Sequence, residues 1–208
     1  GSVKGSRFVG GLCGSNYGVI TGCYNEAAII GEYYVGGVCG FTNRTITNCN
    51  NTGAINGTGN NVGGLCGCNY GTIANCYNQG SITGSSRVGG LCGFNTDTIT
   101  NCYSCGTIPS NEDPSLNWIG GLCGFNDKGT ITSGYYDSNI YSGNAIGYNA
   151  GTCANCAGLT TGQMKAQSGA ESALIDKLNG YRDSTGKYPV EWFHWKIKGW
   201  YPEVTGDH

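Results

Sequence analysis

The stretch that decides the fold runs from Val62 to Gly84. It opens with Val62-Gly63-Gly64-Leu65-Cys66-Gly67, continues through Asn69-Tyr70-Gly71-Thr72-Ile73-Ala74-Asn75-Cys76-Tyr77, and closes on Gly80-Ser81-Ile82-Thr83-Gly84. Its opening phrase recurs from Val9, Val35, Val88 and Ile119, so successive copies start 26, 27, 26 and 31 residues apart. The extra length before the fifth copy is a polar insert around Asn111, Glu112, Asp113 and Pro114, which reads as a longer loop. Each copy carries an isoleucine column, Ile20, Ile46, Ile73, Ile99 and Ile131. Three residues on stands a cysteine column, Cys23, Cys49, Cys76 and Cys102, with Gly134 in its fifth place. A third apolar column is Ile29, Ile55, Ile82, Ile108 and Ile140. A degenerate sixth copy, Asn149 to Cys156, matches Asn69 to Cys76 at six of eight positions.

Three short strands in about 26 residues, repeated in tandem, describe one coil of a parallel β-solenoid. Six coils at the spacing of hydrogen-bonded strands give a rod of about 25–30 Å. The usual crossover rule makes the expected hand right-handed. A propeller blade needs about 40 residues or more, and the leucine-rich repeat pattern is absent. The composition fits tight corners, with 39 glycines among 208 residues and 12% charged residues. Glycine supplies left-handed corners, and asparagine tolerates them. Two asparagine columns, Asn48/Asn75/Asn101 and Asn16/Asn69/Asn95, are expected to bond along the rod.

The expected domains are the repeats over 8–157 and an α+β cap over 158–208. In the cap, Ser168 to Glu171 form a capping-box pattern, and Ala170, Ala173, Leu174 and Leu178 follow helical spacing. The spacing predicts a helix over 169–178 that Asn179-Gly180 ends. Aromatic residues Trp192, Phe193, Trp195 and Trp200 follow, with two short strands about Lys198-Gly199. A cap covers the apolar surface and open strand edges of a terminal coil.

Several functions are excluded or disfavoured. Net charge is −2 without a basic cluster, so a nucleic-acid footprint is missing. No apolar run reaches membrane-spanning length. Residues Gly1 to Arg7 lack the apolar core of a signal peptide, so any leader or anchor is expected outside this stretch. The acidic residues do not share a column, Asp97 and Asp127 coming closest, so neither a catalytic site nor an enzyme is expected. No metal or other cofactor is expected. Cys153-Ala154-Asn155-Cys156 has metal or redox spacing, but its cysteines fall on repeat columns and the histidines, His194 and His208, are far off.

The 13 cysteines mostly occupy two columns ten residues apart. The first is Cys13, Cys39, Cys66, Cys92 and Cys123; Cys156 falls on the second. Two readings compete. Disulfides Cys13–Cys23, Cys39–Cys49, Cys66–Cys76 and Cys92–Cys102 would staple each coil. Alternatively the thiols stay free and stack as small core residues. Cys68 and Cys105 lie outside both columns and are expected to be exposed thiols at corners.

Two surface arrays stand out. Tyr24, Tyr77, Tyr103 and Tyr135 follow the second cysteine column and form a candidate ligand-binding stripe. Thr45-Ile46-Thr47, Thr98-Ile99-Thr100 and Thr130-Ile131-Thr132 set outward threonines about an inward isoleucine, an arrangement similar to that of ice-binding proteins.

The repeated phrases Gly-Gly-Leu-x-Gly, Asn-x-Gly-Thr-Ile-x-Asn-Cys-Tyr and Gly-x-Ile-x-Gly resemble the GLUG motif over about Val9 to Asn139, with a remnant to Cys156. The motif often has valine where this chain carries its first cysteine column. The resemblance implies a bacterial secreted or cell-surface protein, adhesin-like or IgA-protease-like, with no catalysis of its own. It implies a structural or adhesive module presenting a rigid face to a host or cell-wall glycan or to a protein. The alternatives are a spacer or stalk without ligand, a fragment of a carbohydrate-active β-helix enzyme, and ice binding through the threonine rows.

Overall fold

The computed structural model describes residues 1–109 and 118–165, Leu174 and Leu178, and the backbone of His194–Lys198 and Tyr201–Thr205. Within it the chain winds as a parallel β-solenoid of about six turns. We number the coils 1 to 6, from the strands starting at Arg7, Tyr33, Asn60, Ser86, Ile119 and Ile146.

Coil 3 shows the plan. Its strands are Asn60–Gly63, Cys66–Asn69, Thr72–Ala74, Tyr77–Asn78 and Ile82–Thr83. The expected three strands are therefore five. The Gly63-Gly64 corner splits one segment, and Asn75 splits another by adopting φ 52°. Asn48, Asn101 and Asn155 repeat that left-handed corner, with Ser133 in the fifth place. A short polar side chain tolerates this conformation better than a branched one. In coils 4 and 5 the segments on either side of this corner join as Thr98–Ser104 and Thr130–Asp137.

The columns stack in register, coil upon coil. Ile20, Ile46, Ile73, Ile99, Ile131 and Cys153 form one continuous row of partners. Val9, Val35, Val62, Val88 and Ile119 form another. These residues, with Leu65, Leu91 and Leu122, make the main core, and Ile46, Ile73 and Ile99 are fully buried. The third isoleucine column is shorter than expected. Ile29, Ile55 and Ile82 pair, but Ile140 lies outside at 37% exposure. Tyr141 is buried next to it, its hydroxyl donating to the Ile119 carbonyl at 2.9 Å.

The glycine pair has a steric cause. A Cβ on Gly36 would lie 2.7 Å from both Cys66 Cα and the Leu65 carbonyl oxygen. Two sheets approach there more closely than any side chain permits. Asparagine ladders fill the corners. Asn69, Asn95 and Asn126 each donate to the next asparagine Oδ1 at 2.7–2.8 Å, ending on Asn149. Asn16 donates to Thr42 Oγ1 at 3.0 Å, whose hydroxyl turns to the Arg44 carbonyl, and Asn101 donates to Asn75 at 2.6 Å. A further ladder, unmarked by the two asparagine columns above, runs beside these. Asn25 donates to Asn51 at 2.7 Å, and Asn51 to Asn78 at 2.8 Å.

Beyond coil 6 a short helix spans Thr161–Lys165. A capping box starts it: the Thr160 amide donates to Gln163 Oε1 at 2.9 Å, and the Gln163 amide to Thr160 Oγ1 at 3.3 Å. Thr160 and Gln163 carry that pattern in the sequence. His194–Lys198 pairs antiparallel with Tyr201–Thr205, where two strands are expected. Of the helix expected over 169–178, Leu174 and Leu178 are helical and buried. Its other residues, the insert at Asn111 to Pro114, and the side chains of Trp192, Phe193, His194, Trp195, Trp200 and His208 lie outside the described residues.

Candidate ligand-binding face

The cysteine columns lie inside the rod. Cys13, Cys39, Cys66, Cys92 and Cys123 are successive register partners. The coil staples are not formed: all of these, with Cys23, Cys49, Cys76 and Cys102, are free thiols. The thiols instead donate to nearby carbonyls, Cys66 to Cys68 at 3.2 Å and Cys76 to Ala74 at 3.0 Å. Cys13 and Cys39 sulfurs lie 3.5 Å apart along the axis. Burial pushes the Cys13 thiol up to about 12, with Cys39 beside it adding to the effect. Burial first, then neighbouring thiols, raise Cys66, Cys76 and Cys92 well above the ordinary thiol range. Cys153 and Cys156 form a disulfide, with Cys153 paired to Ile131 in the isoleucine column. Among the described residues no three His, Cys, Asp or Glu side chains gather as a metal-holding group.

Two surface expectations are corrected. Tyr77, Tyr103 and Tyr135 stack in register but are buried, under a second apolar cluster containing Leu159, Met164, Leu174 and Leu178. Only Tyr24 of this stripe is open, at 66% exposure, because that cover does not reach coil 1. The tyrosines anchor the C-terminal segment to the rod. Cys68 and Cys105 are also buried: Cys105 joins that same cluster, and Cys68 sits beneath rings described below.

The threonine rows are in register over six coils. One column reads Val19, Thr45, Thr72, Thr98, Thr130 and Thr152; the other reads Thr21, Thr47, Ala74, Thr100, Thr132 and Ala154. All twelve side chains are exposed or partly exposed.

A different face carries the outward aromatic residues. Its first column precedes each valine of the opening phrase: Phe8, Tyr34, Asn61, Arg87 and, before Ile119, Trp118. Phe8, Tyr34 and Arg87 adopt φ of 52–55°, and Asn61 φ 62°. Bulky side chains rarely hold this conformation, and such outliers cluster at functional sites. The second column is Ser15, Phe41, Cys68, Phe94, Phe125 and Tyr148, paired strand to strand. Where it holds small Ser15 and Cys68, the adjoining turn supplies Tyr17 and Tyr70. Tyr17 lies 6.0 Å from Phe41, and Tyr70 lies 5.7 Å from Phe41 and 6.1 Å from Phe94. Phe94 stacks on Phe125 at 5.5 Å, and Phe125 on Tyr148 at 4.6 Å. Phe8 stacks on Tyr34 at 4.8 Å. The Arg87 guanidinium lies 5.0–5.6 Å from the rings of Phe125, Trp118 and Phe94. Rings therefore follow one another from coil 1 to coil 6. Identical residues recur in the core columns, whereas this face varies from coil to coil, so the repeat does not mark it.

The stacked coils, inward columns and varied outer face define a β-solenoid repeat protein. A family profile described as the GLUG motif matches residues 58–83 and 84–108. The chain thus carries two adjacent GLUG motifs, in coils 3 and 4. No curated protein and no solved structure matches the chain significantly. Among the described residues no helix is long and apolar enough to cross a membrane.

Proposed function

We propose that the chain is a non-catalytic repeat module of a bacterial secreted or surface-displayed protein, and that its aromatic face binds a glycan. The observation carrying this reading is the ring row from Phe8 to Tyr148, outward along a rigid rod and partly held by residues at positive φ. Aromatic rings offer flat apolar faces at low conformational cost, and sugar rings present matching C–H faces. The GLUG motif supports the repeat-module part of the reading. The test is glycan-array binding of the chain and of a Phe94→Ala, Phe125→Ala double variant. Binding is expected to fall at least about tenfold, a loss of about 1.4 kcal/mol. An array on which the chain binds nothing would leave the spacer reading.

The threonine face favours one second reading, ice binding. Nine of its twelve positions are threonine, on parallel strands in register. Thermal hysteresis measurements decide it, with no hysteresis removing the reading.

A further inference from the structure

The aromatic row has one notch. In coil 3 its two columns hold Asn61 and Cys68, where coil 2 holds Tyr34 and Phe41 and coil 4 holds Arg87 and Phe94. Beside it, on coils 1 to 3, lies an open groove of about 350 Å³ lined by Phe8, Tyr34, Phe41, Asn43, Cys68 and Tyr70. That volume lies at the small end of the range for ligand pockets. The lining combines ring faces with an amide and two phenols, the usual pattern of many apolar groups and few polar ones.

Its charge is equally informative. None of the six lining residues is a carboxylic acid or an ordinary base. Burial pushes the Cys68 thiol up to about 12 and also raises the Tyr70 hydroxyl above its usual value. The lining itself is uncharged at neutral pH, but arginines rim it: the Arg7 guanidinium lies 5.9–6.0 Å from the Tyr34 and Phe8 rings, and Arg44 donates to the Asn43 carbonyl at 3.3 Å. A sugar ring with hydroxyls on its edge and C–H groups on its faces suits the lining of rings, amide and phenols.

We infer that the notch between Tyr34, Phe41 and Tyr70 is a subsite for one hexopyranose unit of a polysaccharide lying along the aromatic row. The inference rests on the glycan reading of that face and assigns the unit at which the polymer is held in register. The rings on either side supply contacts that tolerate sliding. The notch supplies the concave step that a sliding chain must leave.

The experiment is affinity gel electrophoresis of the chain in a β-glucan, a mannan, a galactan and polygalacturonate. At least one of these polymers is expected to retard it. Cys68→Phe supplies the ring that coils 2, 4 and 5 carry at this position and fills the notch. It is expected to weaken binding at least tenfold, with circular dichroism unchanged. Tyr70→Ala removes a half-exposed wall and guards against a folding defect in the first variant; it too is expected to weaken binding at least tenfold. Phe125→Ala, two coils away, tests the face itself. Loss with Phe125→Ala but not with Cys68→Phe or Tyr70→Ala overturns the subsite and leaves the glycan face standing. No retardation by any polymer overturns both.

Discussion

Asn51 shows how much one side chain does in this fold. It is fully buried, accepts from Asn25, and donates to both Asn78 and the Gly53 carbonyl at 2.8 Å. Asn51→Ala removes one buried hydrogen bond from each of three neighbours, although Asn25 keeps its bond to the Ala27 carbonyl and Asn78 Oδ1 keeps the Gly80 amide. The expected loss is about 2–4 kcal/mol by urea denaturation, larger than that of an ordinary hydrogen bond, because unmade buried bonds carry their full desolvation penalty. Ile73→Ala, in the centre of the isoleucine row, is expected to cost about 2–5 kcal/mol in the same measurement. The isoleucine was legible because it recurs at a fixed spacing. The ladder through Asn51 was less so, since Ser104 replaces asparagine after Asn78. Positive φ at Phe8, Tyr34 and Arg87 was not legible at all: those residue types disfavour it, and the surrounding stack imposes it.

Among the elements, the cysteine columns carry the sharpest expectations. Eleven thiols are free, and only Cys13 and Cys23 are partly exposed. A thiol reagent on the native chain should react quickly with those two, and with eleven after unfolding in denaturant. Eight or more oxidised cysteines would instead restore the coil staples. Stability should also depend on alkali. An unfolded thiol titrates near 9.0, whereas Cys13 and Cys68 hold their protons to about 12 and burial raises the inner Cys66 and Cys76 well above the ordinary value. Unfolding therefore releases protons above pH 9, so the contribution is whole below pH 9 and is lost as pH rises toward 12. The urea midpoint should fall between pH 8.5 and about 11, and Cys66→Ala, Cys92→Ala should flatten that fall. Spacing placed both columns but not their chemistry, because neighbours along the axis come from residues 26 or more positions apart. The tyrosine stripe shows a related limit. Its outward direction was readable from alternation, but its cover comes from Leu159, Met164, Leu174 and Leu178, far along the chain.

For the whole molecule, the repeat makes stability nearly a sum over coils and their interfaces. Excision of residues 60–85, one full period from Asn60 to the residue before Ser86, should leave a folded rod with a lower melting temperature. Excision of residues 60–71, which removes Asn60–Gly63 and Cys66–Asn69 alone, should not, since it interrupts two of the stacked sheets. Circular dichroism with thermal melting separates the two. The period, and so the solenoid, stood plainly in the sequence. The division of coil 3 into five strands did not, because it depends on corner geometry. The close approach of the two sheets at Gly36 has an evolutionary consequence. With backbone against backbone there, the cross-section has no room in which to swell, so drift at those sites is blocked. Duplication or loss of whole turns remains open, as do added residues in the outer loops. A lineage built on this plan changes by counting its turns and varying its rim, while the thickness of its rod is inherited unchanged.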